Sequence, residues 1–170
     1  MSGNNKMAIK RLLMEFRELT NHPADGIVAG PINDQDLFKW EALMSGPEGT
    51  CYDGGCFHAT IDIPLDYPLS PPTMRFTSAM WHPNVHVDGT VCISILHTAG
   101  DSITATYEHA SEQWSPVQSL EKVLLSVVSM LAEPNDESPA NVDAAKQWRQ
   151  DRKGYLAKAN EIVRKSLSFE

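Results

Sequence analysis

The pattern of apolar and polar residues near the start of the chain predicts an amphipathic helix. Five apolar residues recur three or four positions apart, which is the spacing of one helical face: Ile9, Leu12, Leu13, Phe16 and Leu19. The polar residues between them are expected on the opposite face: Lys10, Arg11, Glu15 and Arg17. The first element is therefore predicted to be a helix that packs against a core along one side.

Two later segments alternate between apolar and polar residues instead. Residues 38–44 and 57–63 both show a period of two, which is typical of half-buried strands. The stretch between them is rich in glycine and must turn. Four prolines after the second segment end the strand pattern, because proline cannot donate to a sheet ladder: Pro64, Pro68, Pro71 and Pro72. Strands joined by short turns predict an antiparallel meander.

The second half of the chain is predicted to be helical. Ser115 and Pro116 provide a cap and a first helical position. Apolar residues at helical spacing then indicate a mostly buried helix: Val117, Leu120, Leu124, Val127, Val128 and Leu131. Pro134 would end it, Ser138 would open a short helix, and a last helix would begin at about Asp151. The order of elements predicts one α+β domain over residues 1–170.

Composition narrows the possible partners and location. The net charge of −8 argues against nucleic acid, since phosphate binding requires a basic patch. No apolar run approaches the length of a membrane span, so no direct membrane insertion is expected. The N-terminal residues do not form a signal peptide. Three cysteines, an odd number, fit a reducing compartment and predict a cytoplasmic protein with free thiols.

Cys92 is the strongest candidate for chemistry. It follows a turn at Gly89 and lies eight residues after Asn84, in a segment that begins with His82. A thiol on such a loop beside a side-chain amide suggests covalent catalysis. One interpretation of these residues is a cysteine hydrolase, in which Asn84 and a histidine assist the thiol. A metal site is not expected, because Gly89 and Pro83 break any helix that would align the histidines.

The His-Pro-Asn tripeptide, the Gly-x-x-Cys step and the later Trp114-Ser-Pro together resemble the active site of ubiquitin-conjugating enzymes. The resemblance implies a fold with an N-terminal helix, a four-stranded antiparallel meander and C-terminal helices. It also implies that Cys92 accepts ubiquitin as a thioester from an activating enzyme and, with a ligase, passes it to a lysine. ATP would be used by the activating enzyme, and no cofactor would bind this chain. A ubiquitin-like modifier in place of ubiquitin is an open alternative.

Partner-binding residues follow from the same resemblance. Lys10 and Arg11 match the helix that meets the activating enzyme and the ligase. Leu69 lies in a segment similar to the first ligase-binding loop, and Val117 in one similar to the second, where a RING-type ligase would dock. Val28 marks the opposite sheet face, at a position often polar in members that bind a second ubiquitin there.

An inserted loop at about residues 97–113 resembles one branch of the family, which serves endoplasmic-reticulum-associated degradation. Members of that branch favour chains linked through lysine 48 of ubiquitin, and membrane-tethered proteins recruit them to the endoplasmic reticulum. The cullin-linked branch is less favoured, because this chain lacks its acidic tail. The alternative interpretation of the loop is a passive surface insertion.

The chemistry expected at the thiol needs an oxyanion donor and help for the incoming lysine. The amide of Asn84 is the candidate donor, while His82 is expected to make structural hydrogen bonds. Ser94 and Ser138 stand where many family members have aspartate, which leaves the lysine-positioning role open. The candidates for that role are Glu137 beside Ser138, and the loop residues Asp101 and His97. No lysine or arginine lies between residues 76 and 121, so no fixed cation is near Cys92 in sequence.

Overall fold

The computed structural model describes residues 3–98 and 112–168. Its helices and strands follow the predicted order: α1 Gly3–Asn21, β1 Ile27–Asn33, β2 Asp36–Ser45, β3 Cys56–Asp62, β4 Thr73–Phe76, α2 Leu120–Ala132, α3 Val142–Gln150 and α4 Arg152–Ser166. A 3-10 turn, Ser94–Leu96, lies between β4 and α2. The four strands form one antiparallel sheet in the order β1-β2-β3-β4, which confirms the predicted α+β fold with its meander.

The core lies between one face of the sheet and α2. Trp40, Ala42 and Met44 of β2 point into it, as the alternating pattern predicts. Phe57 and Ile61 of β3 do the same. Helix α2 is buried along most of its length because its apolar residues are more numerous than a one-sided helix needs: Leu120, Val123, Leu124, Val127, Met130 and Leu131. This helix supports the loops described below.

The predicted buried face of α1 is partly wrong. Its buried residues are Ala8, Leu12, Glu15 and Leu19, so the buried stripe is rotated from the apolar pattern. Two residues predicted to be buried are substantially exposed, Leu13 at 47% and Phe16 at 37%. Glu15, predicted on the polar face, is instead nearly buried. The reason is that the Glu15 carboxylate receives hydrogen bonds inside the protein, which compensate its burial.

Two predicted helix starts are also wrong. Helix α2 begins at Leu120 because the hydroxyl of Ser119 accepts a hydrogen bond from the backbone of Lys122, so Ser119, and not Ser115, is the cap. Val117 therefore precedes the helix and is exposed. Helix α3 begins at Val142 with Asn141 as its cap, several residues after the predicted start at Ser138. The start of α4, capped by Asp151, agrees with the prediction.

Among the described residues, no helix is both long and apolar enough to cross a membrane. Most of the predicted insertion, residues 99–111 of 97–113, lies outside the described residues.

Candidate functional site

Cys92 is held beside Asn84 by a narrow backbone loop. Val85 and Val91 pair across the loop, and the backbone N–H of Cys92 donates to the carbonyl oxygen of Asn84 at 2.9 Å. The turn requires Gly89, whose φ is +94° and where a Cβ would lie 2.2 Å from a carbonyl oxygen of β4. The sequence therefore brings the thiol and the amide together through local backbone geometry.

His82 fixes this loop onto α2. Its ring is fully buried; Nδ1 accepts a hydrogen bond from the backbone of Asn84 at 2.9 Å, and Nε2 donates to the carbonyl oxygen of Met130 at 2.8 Å. Only the neutral ring with its proton on Nε2 satisfies both contacts. Burial lowers the pKa of His82 to about 4, so the ring is uncharged at neutral pH. His82 is thus placed for the structural hydrogen bonds expected of it.

The side chain of Asn84 clamps the segment that follows α2. Its Nδ2 donates to the carbonyl oxygen of Asn135 at 2.7 Å, and its Oδ1 accepts from the backbone N–H of Asn135 at 2.9 Å. The residue is 4% exposed. An amide nitrogen carries two N–H groups, and the contact with Asn135 uses one of them. Asn84 therefore holds the loop, and its second N–H takes no part in the contact with Asn135.

The thiol lies at the edge of an open cleft of about 700 Å³. One wall is the segment from Cys92 to Ile95, and the floor is the outer face of α2, including Lys122, Ser126 and Ser129. Asn135 and Ser138 form the opposite wall. A cleft of this volume, open to solvent, has room for a side chain that approaches the sulfur.

Hydrogen bonds hold the segment that forms the wall opposite the thiol, residues 135–141, at both of its ends. The backbone N–H groups of Ala140 and Asn141 both donate to the carbonyl oxygen of Pro83, at 2.8 and 3.0 Å. Asp136 pairs with Arg149 of α3, and this hydrogen bond holds the pKa of the Asp136 carboxyl below its usual value. The sequence does not predict this role of Arg149, because no motif links Arg149 to a residue thirteen positions earlier.

Ser138 and Glu137, predicted to position the lysine, differ in their placement. Ser138 lines the cleft. Glu137 is exposed, and its backbone donates to the side chain of Asn135 at 3.2 Å. The structure thus places Ser138 on the same cleft as Cys92, whereas Glu137 is not among the residues that line it.

His97 is brought directly to the thiol. Its Nε2 lies 3.4 Å from Sγ of Cys92, within the range of a hydrogen bond to sulfur. The 3-10 turn aims the ring back at the thiol, and the carbonyl oxygen of His97 accepts from the backbone of Trp114 at 2.9 Å. An imidazole at this distance can take up or return the thiol proton. Asp101, the other predicted loop residue, lies outside the described residues.

Three of the four predicted residues for the activating enzyme and the ligase are open to solvent. Lys10 is exposed, as are Leu69 and Val117, which are 62% and 88% accessible. Arg11 differs, because its guanidinium is turned inward and bonds Glu15 and the backbone before α2.

Val28 lies on the sheet face that is turned away from the core. It is 72% exposed and pairs with Leu43 of β2, which in turn pairs with His58 of β3. The three residues form a row across the outer face of the sheet. Leu43 is 45% exposed, so the row has an accessible apolar end.

No three His, Cys, Asp or Glu side chains among residues 3–98 and 112–168 are arranged to hold a metal ion. Two of the histidines weighed as metal ligands make different contacts instead. His82 is hydrogen-bonded to the backbone of Met130, and His97 faces Cys92. The arrangement around Cys92 is that of a thiol with an imidazole and an amide beside an open cleft.

Comparison with known proteins identifies the family. The model of the ubiquitin-conjugating enzyme family matches residues 11–163. Human ubiquitin-conjugating enzyme E2 G2 is 61% identical over 162 residues, covering 95% of this chain and 98% of that protein. Ubiquitin-conjugating enzyme E2-18 kDa of Schizosaccharomyces pombe is 56% identical over 163 residues, covering 96% and 98%. Ubiquitin-conjugating enzyme E2 13 of Arabidopsis thaliana is 50% identical over 162 residues, covering 95% and 97%. The chain belongs to the ubiquitin-conjugating enzyme family.

Proposed function

We propose that Cys92 is the thiol on which this ubiquitin-conjugating enzyme carries ubiquitin. The observation that supports the assignment is the position of Cys92 at the cleft, 3.4 Å from the imidazole of His97. Cys51 lies in the turn between β2 and β3, and Cys56 is the first residue of β3. Neither residue lines that cleft. Burial raises the pKa of the Cys51 thiol, which makes it a poorer nucleophile at neutral pH.

Transfer takes place in two steps. The sulfur of Cys92 attacks the carbonyl carbon of ubiquitin's C-terminal thioester on the activating enzyme, whose own thiolate leaves. His97 takes the proton that Cys92 loses. A neutral lysine amine then attacks the carbonyl carbon of the new thioester and forms a tetrahedral oxyanion. When the oxyanion collapses, the carbon–sulfur bond breaks, the thiolate of Cys92 leaves, and the amine proton passes to that thiolate or to water. ATP is consumed earlier by the activating enzyme, so this chain requires no cofactor.

The incoming lysine would approach between Cys92 and the opposite wall of the cleft. Asn84 would donate its second N–H to the oxyanion, and Ser138 would guide the amine. Because Ser138 cannot act as a carboxylate, the loop residue Asp101 is proposed to attract and orient the lysine. Glu137 is a weaker candidate for this role, because it is exposed and is not among the residues that line the cleft.

A charging assay tests the assignment of Cys92. Incubation with activating enzyme, ATP and tagged ubiquitin should give an adduct that dithiothreitol removes. Cys92→Ser should form no adduct or a reductant-resistant ester, whereas Cys51→Ser and Cys56→Ser should charge normally. A full-strength thioester on Cys92→Ser would overturn the assignment.

The same assay separates the alternatives. Hydrolysis of a ubiquitin C-terminal peptide without activating enzyme would favour a cysteine hydrolase. Charging with a ubiquitin-like modifier and its activating enzyme, but not with ubiquitin, would show that the enzyme carries that modifier in place of ubiquitin. Ubiquitin variants that retain a single lysine would report the linkage, for which we propose lysine 48 and a role in endoplasmic-reticulum-associated degradation.

The outer sheet face is proposed to bind a helical segment of a membrane-tethered protein, which would recruit this cytoplasmic enzyme to the endoplasmic reticulum. The row of Val28, Leu43 and His58 offers an apolar end and a polar end, and His58 also contacts Glu41. An amphipathic helix presents both kinds of side chain along one side.

Val28→Arg should therefore weaken binding of such a helical peptide by at least tenfold, since a charge would replace a buried apolar contact. Charging of Cys92 should not change. Val142→Arg is the matched control, because Val142 is an exposed valine on α3, outside the sheet. Equal affinity of Val28→Arg and wild type in a titration would rule out this face.

A further inference from the structure

Glu15 is a nearly buried carboxylate that joins three parts of the protein. Its Oε1 accepts hydrogen bonds from Nε of Arg11 at 2.7 Å and from the hydroxyl of Tyr67 at 2.6 Å. Its Oε2 accepts from the backbone N–H of Leu120 at 2.7 Å. The donors lie on α1, on the segment between β3 and β4, and at the first residue of α2.

This arrangement compensates a charge that would otherwise be costly to bury. Both oxygens of Glu15 are engaged, and the N-terminus of α2 adds a favourable dipole to the contact with Leu120. Burial and the neighbouring carboxylate raise the pKa of Tyr67, so its hydroxyl remains a donor at neutral pH. Glu15, Arg11 and Tyr67 are not among the residues that line the cleft at Cys92, and the transfer steps do not use them.

Arg11 extends the cluster to the segment before α2. Its Nη1 donates to the carbonyl oxygen of Pro116 at 3.0 Å, and its Nη2 donates to that of Gln118 at 2.6 Å. These two carbonyls flank Val117, whose side chain points into solvent. Glu15 orients the guanidinium through Nε, and so the backbone around Val117 is tied to α1.

Tyr67 extends the cluster to the other loop. Its ring packs on the ring of Trp114 with centroids 5.7 Å apart, and Nε1 of Trp114 donates to the carbonyl oxygen of Pro68 at 2.9 Å. The next residue is Leu69, which is exposed. The backbones that carry Leu69 and Val117 are thus connected to each other and to one carboxylate.

We propose that Glu15 is a positioning residue for ligase-stimulated transfer, which sets the relative placement of Leu69 and Val117. The inference rests on the proposed function, and within it on the docking of a ligase at these two residues that the family resemblance implies. Both belong to irregular segments that lack a strand or helix to hold them. A preorganised pair of anchors spares the ligase the cost of ordering them, and its affinity rises accordingly.

The test measures ubiquitin discharge from the charged enzyme to free lysine as ligase concentration is varied. Glu15→Gln removes the charge and leaves at least one of the three donors facing an amide N–H. The ligase concentration for half-maximal stimulation should rise about tenfold, while the maximal rate and the ligase-free rate stay unchanged. Tyr67→Phe removes a single donor and should give a smaller increase in the same direction.

Glu18→Gln is the matched control, because Glu18 lies one turn further along α1 and is exposed. It should leave the ligase titration unchanged. Leu69→Ala tests the docking site itself, and should weaken ligase stimulation. In the Leu69→Ala background, Glu15→Gln should cause a smaller loss than in the wild type, because one of the two anchors that Glu15 positions is already absent.

The outcomes separate the inference from the proposed function. If Leu69→Ala weakens stimulation but Glu15→Gln and Tyr67→Phe titrate like wild type, Glu15 has no positioning role, whatever its effect on thermal stability. If neither Leu69→Ala nor Val117→Ala changes the stimulation of discharge by the ligase, the proposed docking site is wrong. Fully additive losses for Glu15→Gln and Leu69→Ala would also overturn the inference.

Discussion

At the residue scale, Asn84 carries two roles that a single substitution can separate. Its amide already clamps Asn135 through both of its ends, and we propose that its second N–H stabilises the oxyanion during transfer to lysine. On the proposed assignment, loading of Cys92 would be an exchange between thiols, which we expect the activating enzyme to control. Transfer to an amine depends more on the donor supplied by this site.

Asn84→Ala should therefore charge at nearly the wild-type rate and discharge to lysine about 100-fold to 1000-fold more slowly, the magnitude of a lost oxyanion donor. Single-turnover discharge of purified thioester measures this rate. Asn84→Asp is the informative companion, because it retains an acceptor for the backbone of Asn135 and loses both donors. A collapsed melting temperature with equally impaired charging would show that Asn84 acts only by holding the loop.

Local sequence motifs located the residues around the thiol better than they located the cluster at Glu15. His82, Asn84 and Cys92 lie within one short loop, so their proximity follows from sequence spacing and the turn at Gly89. The sequence pattern predicts Glu15 on the polar face, because a carboxylate between the apolar residues of an amphipathic helix normally faces water. Its partner Leu120 is 105 positions away, and no sequence pattern indicates that contact.

At the element scale, prediction succeeded where one periodicity dominated. The strands β2 and β3 bury one face in the core, and their alternation is unambiguous. Helix starts were less predictable because several residues compete as caps. Ser115 and Ser119 both precede the apolar stretch, and Ser119 is the cap because its hydroxyl reaches the backbone of Lys122.

The inserted loop is the element whose role an experiment can decide most directly. Its described ends meet where the backbone of Trp114 donates to the carbonyl oxygen of His97. A shortened loop can therefore close between these ends with little change in the rest of the protein. We expect deletion of residues 100–110, or Asp101→Ala, to slow ligase-dependent chain formation and to leave charging near normal.

The deficit should diminish as pH rises, because the lysine then needs less help to lose its proton. Rates of chain formation between pH 6 and 9 measure this dependence, with Asp88→Ala as a control, since Asp88 is an exposed acid on the loop before Cys92. A deletion variant that builds chains at the wild-type rate at every pH would identify the loop as a passive insertion.

At the scale of the whole molecule, burial of His82 makes stability depend on pH. The pKa of His82 is about 4 in the folded protein, against a reference value of 6.5. Below pH 6.5 the unfolded chain binds a proton that the folded protein does not, so acidification favours unfolding. The loss of stability should grow from about pH 6.5 down to about pH 4 and then level off.

The size of this effect is large relative to the stability of an ordinary domain. Protonation of His82 in the unfolded chain alone should lower the free energy of unfolding by on the order of 3 kcal/mol. The whole free energy of unfolding of a domain is typically about 5–15 kcal/mol. Urea unfolding at pH values between 7.5 and 4.5 measures the loss, and proton NMR of the His82 ring reports its ionisation directly. His86→Asn is the control, since His86 is an exposed histidine on the same loop. A His82 ring that titrates near pH 6.5 in the folded protein would contradict this account.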